Sequence, residues 1–365
     1  MIKIRNCSIE QFAKLVEKKE CYCFGCGKQA EGFFQKYSSL HMEGNISGFI
    51  DNAQEKNGTI IVINGVEMPI CSFQKFLEIR GQDSIVLTTS MYCHKMIEQM
   101  DAEPQLNDME CYVDFFIEDA FIPQYFKKTY ADRPKIPKVI HYCWFGRGDI
   151  PAQFLSYIES WHRYCPEYEI IRWDETNYDV TKSRYMKQAY DAGKWAFVSD
   201  YARLDIIHQY GGIYLDTDVE LIKNLDDLLY DEMYCGFEQN NYVNFGLGFG
   251  AIAGHDVLAE LMEWYNNMDF VNKDGKYNQT ACAVYQLQAM VKRGFSVSNV
   301  YQCKDKIALY PSEVLAPQNL LGDEIHITEN TYSIHHYSST WWDDEATTGM
   351  NILRDNLQKY KLRIK

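Results

Sequence analysis

The most informative stretch of this 365-residue chain is KWAFVSDYARLDIIHQYGGIYLDTDVE, which covers residues 194–220. Its apolar residues recur at steps of three and four between Val198 and Ile207, and this spacing predicts a helix with one buried face. Gly211 and Gly212 follow at once, and glycine is the residue at which helices most readily end. The stretch therefore predicts a helix that stops abruptly and turns into the next element.

The residues after the glycines predict a strand with two acidic side chains on one face. Alternation in Ile213 to Asp218 places Tyr214, Asp216 and Asp218 on the same side, with the two carboxylates roughly 6 to 7 Å apart. Like charges at this spacing repel each other and resist burial unless a divalent cation or water lies between them. Mg²⁺ or Mn²⁺, which takes oxygen ligands and binds diphosphates, suits this pair.

Two charged residues of the preceding helix have more than one explanation. Asp200 and Arg203 are three positions apart and therefore neighbours on one side of the helix. They form either a surface ion pair, which would contribute little, or part of a site with Ser199 and the two aspartates. A D-x-D motif alone is common, but its position after this helix and a double glycine is specific.

The sequence upstream predicts the start of an α/β domain. Lys138 to Gly146 reads as a buried strand, Gln153 to Tyr164 as a helix and Glu169 to Trp173 as a second strand. Trp144 closes the first strand, and ligands of α/β sheets dock at the carboxyl ends of strands. Its ring could stack on a base or belong to the core.

Residues 20–116 alternate short apolar runs, the last of them a predicted strand from Cys111 to Phe116, with helical patterns, which predicts a parallel sheet. Gly25 and Gly27 form a G-x-G-x-x-A turn after the first run, and Asp51 ends the second. In a dinucleotide fold such glycines allow a pyrophosphate to approach and the acid meets a ribose hydroxyl. The alternative is a domain without nucleotide that serves docking or regulation.

Composition and prolines set the wider expectations. The net charge of −15 disfavours nucleic acid, and twelve scattered cysteines indicate reduced thiols. No apolar run approaches membrane-span length, so we expect a cytoplasmic protein with at most peripheral contact at the inner face of the membrane. Prolines indicate a linker. The predicted division is a Rossmann-like domain 1–122, a linker 123–135, an α/β domain 136–345 and a basic C-terminal helix or tail 346–365.

The chain from Ile136 to about Trp342 resembles the glycosyltransferase family 32 group of sugar transferases with a DXD motif. The resemblance implies a GT-A fold and retaining transfer from a UDP- or GDP-sugar to a saccharide or lipid-linked saccharide, in bacterial capsular or surface polysaccharide biosynthesis. The matching elements are Pro137-Lys138-Val139-Ile140-His141 with Trp144, Trp161 with Pro166-Glu167-Tyr168, Ser199-Asp200-x-x-Arg203, and Gly211-Gly212-Ile213-Tyr214-Leu215-Asp216-x-Asp218.

The resemblance also implies roles for individual residues. Trp144 would stack on the donor base. Asp200 and Arg203 would hold the donor sugar and phosphate. Asp216 would reach hydroxyl groups, and Asp218 would bind the metal. Further donor contacts are expected from Ser199, Tyr214 and Asn244.

A closing segment near the C-terminus resembles the lid of this family. His336, Ser339 and Trp341 are its expected residues, although a histidine-rich strand end packed on the core is the alternative. The resemblance departs at Asn278 to Cys282, where many relatives have Thr-Gly-Pro. Two other functions fit the same motifs: a non-catalytic module that senses a nucleotide, and a toxin-like protein glucosyltransferase.

Overall fold

The computed structural model describes residues 1–118, 126, 131–319, 322, 324–338 and 344–364. The strands are β1 (Lys3–Arg5), β2 (Cys21–Phe24), β3 (Ile46–Ile50), β4 (Ile60–Ile63), β5 (Val66–Cys71), β6 (Ile85–Thr88), β7 (Glu110–Val113), β8 (Val139–Cys143), β9 (Glu169–Trp173), β10 (Gly212–Tyr214), β11 (Val219–Leu221), β12 (Met233–Gly236), β13 (Phe249–Ala251), β14 (Gln302–Lys304), β15 (Ile307–Tyr310) and β16 (Ser333–His335). The helices are α1 (Ile9–Val16), α2 (Lys28–Lys36), α3 (Phe73–Ile79), α4 (Cys93–Asp101), α5 (Asp114–Glu118), α6 (Ala152–Tyr164), α7 (Arg184–Asp191), α8 (Trp195–Tyr210), α9 (Asp256–Asn266), α10 (Cys282–Lys292), α11 (Ser312–Leu315) and α12 (Asp344–Lys361).

The chain divides into two compact units. The first combines Met1–Ala120 with Asp343–Lys365, and the second is Phe121–Trp342. The basic C-terminal segment is therefore part of the first unit.

The first unit contains a seven-stranded sheet in the order β1-β7-β6-β2-β3-β5-β4. All neighbours pair in parallel except β4, which pairs antiparallel with β5. Without the antiparallel edge strand β4, the order across the sheet is β5-β3-β2-β6-β7-β1. This is the 3-2-1-4-5-6 order of the Rossmann fold, with β2 in the first place and β1 in the sixth. The parallel sheet predicted for this half is thus confirmed.

One predicted strand of this unit is too long. Cys111 to Phe116 was expected to be continuous, but β7 ends at Val113 and α5 begins at Asp114. The Asp114 carboxylate accepts the Phe115 N–H at 2.9 Å. The chain leaves the sheet at Asp114 and enters a short helix.

Helix α12 packs on the first unit through a buried stripe of Leu353, Leu357 and Tyr360. Beyond the helix, the Arg363 guanidinium donates to both carboxylate oxygens of Asp101, at 2.6 and 3.0 Å. The C-terminal segment is therefore attached by a hydrophobic face and an ion pair. Among the described helices, none has both the length and the apolarity that crossing a bilayer requires.

The second unit is built on a mixed seven-stranded sheet in the order β14-β15-β12-β13-β10-β8-β9. Strand β10 lies between β8, its parallel neighbour, and β13, its antiparallel neighbour. A separate two-stranded sheet pairs β11 with β16. Buried apolar side chains, including Ile140, Trp161, Ile213 and Leu215, form the core on which these elements rest. The expected α/β class is confirmed for this unit as well.

Helix α8 confirms the helix predicted before the double glycine, but it is not buried on one face only. Nearly every side chain from Phe197 to Ile207 is buried, including the charged Asp200, Arg203 and Asp205. Burial of a charge is costly unless the charge is paired. Asp205 meets this requirement by accepting hydrogen bonds from Tyr178 and Lys182, at 2.8 and 2.6 Å.

The double glycine brings α8 and β10 into direct succession. Gly211 and Gly212 have φ angles of 67° and 104°, which side-chain-bearing residues rarely adopt. A Cβ atom at Gly212 would lie 2.7 Å from the carbonyl oxygen of Val139 in β8. The turn thus requires glycine both for its backbone and for its close approach to the sheet.

The buried side chain of His141 in β8 contacts both Trp173 and the glycine turn. Trp173 donates from its indole nitrogen to His141 Nδ1 at 3.0 Å, and Nε2 contacts the Gly211 carbonyl at 3.1 Å. Burial lowers the pKa of His141 to about 4. A lowered histidine pKa stabilises the fold above the unfolded value near 6.5, and this contribution is lost as the pH falls towards 4.

We therefore expect about 3 kcal/mol of the unfolding free energy to disappear between pH 7 and pH 4 on account of His141. Urea unfolding across this range should show a steeper acid loss in the wild type than in His141→Gln, whose amide does not titrate. Parallel curves for the two proteins would contradict the assignment.

Candidate functional site

Asp216 and Asp218 are brought together by a turn. The predicted strand to Asp218 is too long, because β10 ends at Tyr214 and the chain turns before β11, with Val219 N–H donating to the Asp216 carbonyl at 3.1 Å. Asp216 N–H instead bonds Gly246 O at 3.3 Å. The carboxylates therefore converge through the turn rather than through strand alternation.

A histidine completes this acidic pair. His335, the last residue of β16, pairs in register with Val219 of β11. One ligand atom from each of Asp216, Asp218 and His335 lies within 4.8 Å of the others. Two carboxylates and an imidazole can bind a divalent cation, and the imidazole favours a transition ion such as Mn²⁺ over Mg²⁺.

Asp218 and His335 each shift the pKa of the other. Burial alone would raise the pKa of Asp218, but His335 and the Ser338 N–H outweigh it, so the pKa lies well below its usual range. Burial alone would lower the pKa of His335, yet the Asp218 charge raises it. Their side chains are 3.3 Å apart. A cation that binds here takes the place of the imidazole proton, as metal binding generally does.

Arg203 lies at the centre of a buried charge network. Its Nη2 atom is 3.0 Å from Asp200 Oδ1 and 3.4 Å from Asp216 Oδ1, and its Nε donates to the Ser199 carbonyl at 3.2 Å. The guanidinium also lies over the ring of Tyr214, 5.2 Å from its centroid. The Asp200–Arg203 pair is therefore buried, and the alternative of a surface ion pair is wrong.

Burial dominates the titration of the two aspartates around Arg203. It raises the pKa of Asp200 to about 6, although the Arg203 charge opposes the shift. It also raises the pKa of Asp216, with Arg203 opposing and Asp218 adding to the effect. Arg203 thus supplies one fixed positive charge between two carboxylates of reduced acidity.

The segment around Asn244 closes the site on another side. A Cβ atom at Gly246 would lie 2.3 Å from Asp216 Oδ2, so the backbone here touches the carboxylate directly. Asn244 holds this segment, because its Oδ1 accepts the Gly246 N–H at 2.7 Å while its Nδ2 donates to Glu238. The expected donor contact Asn244 therefore lies beside the DXD turn.

The other expected donor contacts occupy different surroundings. Trp144 is partly exposed at the end of β8, where its indole donates to the Gly148 carbonyl at 2.8 Å. Ser199 donates its hydroxyl to the Trp195 carbonyl in the first turns of α8. Tyr214 is 1% exposed, and its ring packs against the Arg203 guanidinium. Trp144 and Ser199 are thus accessible in part, whereas Tyr214 is a buried support.

The two adjacent histidines have separate surroundings. His336, the expected lid residue, stacks on Tyr157 with ring centroids 4.3 Å apart and lies 3.0 Å from Glu220. Its neighbour His335 lies with the carboxylates instead. The other expected lid residues, Ser339 and Trp341, fall outside the described residues. Sequence reasoning missed His335 because only the pairing of β16 with β11 distinguishes the two.

The expected nucleotide-binding residues of the first unit are linked by side-chain contacts of Asp51. Gly25 follows β2 with a φ of 103°, and Gly27 caps α2. The Asp51 carboxylate accepts from the Cys26 thiol at 2.9 Å and pairs with Lys56 at 3.1 Å. Asp51 thus ties the glycine turn to its own strand end, and ribose binding by this residue stays a prediction.

The arrangement of the histidines predicts unequal effects of two neighbouring substitutions. His335→Gln should weaken Mn²⁺ binding by at least tenfold, because it replaces a candidate metal ligand, whereas His336→Gln should change it less than threefold. Calorimetric titration of Mn²⁺ into each purified variant measures this difference. Equal losses in both variants would remove His335 from the metal site.

A mixed α/β sheet with a converging D-x-D turn, beside a helix with a buried aspartate–arginine pair, is the arrangement expected from the resemblance to the class of DXD sugar transferases. Residues 151–234, from α6 into β12, match the family described as "Glycosyltransferase sugar-binding region containing DXD motif". The resemblance to the glycosyltransferase family 32 group is confirmed.

Individual relatives agree with this class. The chain is 32% identical over 136 residues to inositol phosphoceramide mannosyltransferase 3 of Schizosaccharomyces pombe, a match over 35% of this chain and 36% of the relative. It is 27% identical over 217 residues to an uncharacterized glycosyltransferase of Acanthamoeba polyphaga mimivirus, over 56% of this chain and 84% of the relative. The chain spans about a third of the length of the fungal relative it matches.

A solved structure with a partial likeness is the PaToxG glycosyltransferase. It is 16% identical, with a TM-score of 0.36, over 45% of this chain and 71% of that protein.

Proposed function

We propose that this protein is a metal-dependent, retaining glycosyltransferase that moves a sugar from a UDP- or GDP-sugar to a saccharide or lipid-linked saccharide. The observation that carries the proposal is the convergence of Asp216, Asp218 and His335 next to Arg203. A metal-binding triad beside a buried guanidinium is the arrangement that a nucleotide diphosphate needs when it departs with extra negative charge.

Different residues of the site would bind the metal and the donor. Asp218 and His335 would hold Mn²⁺ or Mg²⁺, with Asp216 as the third ligand or as a contact to hydroxyl groups. The bound cation supplies positive charge to the leaving diphosphate. Arg203 presents a second positive charge fixed by Ser199 and Asp200, and a fixed charge in a buried site stabilises developing charge without reorganising. Trp144 offers a partly exposed ring for the base.

The relatives guide the choice of donors to test first. They include an inositol phosphoceramide mannosyltransferase of Schizosaccharomyces pombe and a mannosyl phosphorylinositol ceramide synthase of Saccharomyces cerevisiae. GDP-mannose therefore joins UDP-glucose, UDP-galactose and their N-acetyl forms as first donors. We propose surface polysaccharide assembly at the cytoplasmic face of a membrane as the setting.

Donor hydrolysis and transfer with this panel, with Mn²⁺ and with EDTA, test the proposal. One donor should be turned over in Mn²⁺ and not in EDTA, and restoring Mn²⁺ should restore the rate. The anomeric configuration of the product, read by NMR, tests retention. Absence of metal-dependent binding or turnover for every donor would refute the proposal.

A further inference from the structure

Helix α10 approaches the site from a side that none of the expected residues occupies. Cys282 and Gln286 lie four positions apart on this helix and therefore on one face. Cys282 contacts the charge network of α8, and Gln286 contacts the segment that carries Asn244. The two residues thus reach both sides of Asp216 from a single rigid element.

The contact of Cys282 is with the aspartate–arginine pair. Arg203 Nη1 lies 3.8 Å from the Cys282 sulfur, and the thiol also hydrogen-bonds Asp200. Sulfur is a weak acceptor, whereas the other nitrogens of Arg203 bond to oxygen atoms. Cys282 therefore restricts the rotation of the Arg203 guanidinium by its contact. The Nη1 hydrogens make only a weak hydrogen bond to the sulfur.

The contact of Gln286 is with the backbone of the opposite segment. Its Oε1 accepts the Phe245 N–H at 2.9 Å, and the next residue, Gly246, touches the Asp216 carboxylate. Gln286 is 1% exposed, and its Nε2 has no hydrogen-bond partner in the described part of the chain. A buried amide donor without a partner is unfavourable, so the hydrogen bond that Gln286 accepts from Phe245 must offset this cost.

We propose that Cys282 and Gln286 are positioning residues for the sugar end of the donor: Cys282 orients Arg203, and Gln286 holds the Asn244–Gly246 segment against Asp216. This inference rests on the proposed function, because it assigns donor contacts to Arg203 and Asp216. Neither residue touches Asp218 or His335 in the described contacts. We therefore expect the metal to bind without either residue and the nucleoside diphosphate to bind without Gln286.

The test compares binding of a nucleotide sugar with binding of its nucleoside diphosphate, both in Mn²⁺. Gln286→Met keeps the length and volume of the side chain but removes the acceptor for Phe245. We expect its Kd for the nucleotide sugar to rise at least tenfold and its Kd for the nucleoside diphosphate to change less than twofold. Gln288→Met, an exposed glutamine on the same helix, is the matched control and should bind both ligands as the wild type does.

Cys282 is tested by a conservative pair. Cys282→Ala removes the contact to Arg203 and should lower kcat/KM for the donor at least fivefold, with a fall in kcat because Arg203 stabilises the charge of the leaving diphosphate. Cys282→Ser keeps a hydrogen-bonding group and should recover most of the loss. Equal weakening of nucleotide sugar and nucleoside diphosphate in Gln286→Met, or no weakening, would overturn the role of Gln286. An unchanged kcat/KM in Cys282→Ala, or a loss that Cys282→Ser does not recover, would overturn the role of Cys282.

A measurement that needs no substrate tests the role of Gln286 independently of the proposed function. Hydrogen exchange at the Phe245 amide should be at least tenfold faster in Gln286→Met than in wild type and Gln288→Met. Unchanged exchange would overturn the role of Gln286 even if no donor binds. Faster exchange in a protein that binds no nucleotide sugar would instead refute the proposed function and leave Gln286 as an anchor of the loop alone.

Discussion

Asp218→Asn is expected to reduce metal-dependent donor turnover by about 10³-fold, the largest loss of activity among single substitutions in this protein. The carboxylate is 14% exposed and faces His335 at 3.3 Å, so its negative charge is directed at the cation position. Asparagine keeps the volume and removes the charge. A thousandfold loss corresponds to about 4 kcal/mol of transition-state stabilisation, within the range that a catalytic cation supplies.

Initial rates over a Mn²⁺ titration measure this effect, because weaker metal binding and weaker catalysis then appear separately. Asp191→Asn, which changes an exposed aspartate paired with Lys187 on α7, is the control and should retain full activity. Retention of more than a tenth of wild-type turnover by Asp218→Asn at saturating Mn²⁺ would contradict a ligand role for Asp218.

Arg203→Met is expected to cause the largest loss of stability, about 3–5 kcal/mol of unfolding free energy, together with loss of turnover. The substitution leaves the buried Asp200 without its cation and beside the partly exposed Asp216, and removal of one partner from a buried ion pair has this magnitude. Arg203→Lys restores the charge but cannot serve Ser199, Asp200 and Asp216 at once, because an ammonium lacks the planar fork. It should recover much of the stability and little of kcat/KM.

Urea unfolding of both variants measures the stability effect, and Arg184→Met is the matched surface control. Arg184 is 64% exposed in its pair with Asp269, and such pairs contribute about 0–1 kcal/mol. If Arg203→Met unfolded like the Arg184 control, the charge network around Arg203 would not be the buried pair described above.

The parts of the site that the sequence could predict are those set by local interactions. The spacing of apolar residues and the double glycine predicted α8 and its end at Gly211, because helix period and glycine capping involve neighbouring positions. Asp200, Arg203, Asp216 and Asp218 were predicted together for the same reason. The extent of burial of α8 was not, since that depends on elements distant in sequence.

The remaining parts depend on pairing between distant strands. Alternation could not show that β10 ends at Tyr214, because a strand ends where its neighbours stop bonding to it. Nor could it choose between His335 and His336, since adjacent strand residues face opposite sides and only the register of Val219 with His335 fixes which one meets Asp218.

The pairing of β11 with β16 also sets an order in which the site can form while the chain is being synthesised. Arg203 finds Asp200 three positions away, so this contact is available as soon as α8 leaves the ribosome. Asp218 meets the Ser338 N–H across 120 positions, and His335 arrives with the same segment. Local contacts form early and distant ones must await loop closure. The sugar-facing half needs the chain only as far as Gln286 in α10 and can thus form before the metal-facing half. A chain that ends before β16 carries the DXD motif without His335 or the Ser338 N–H.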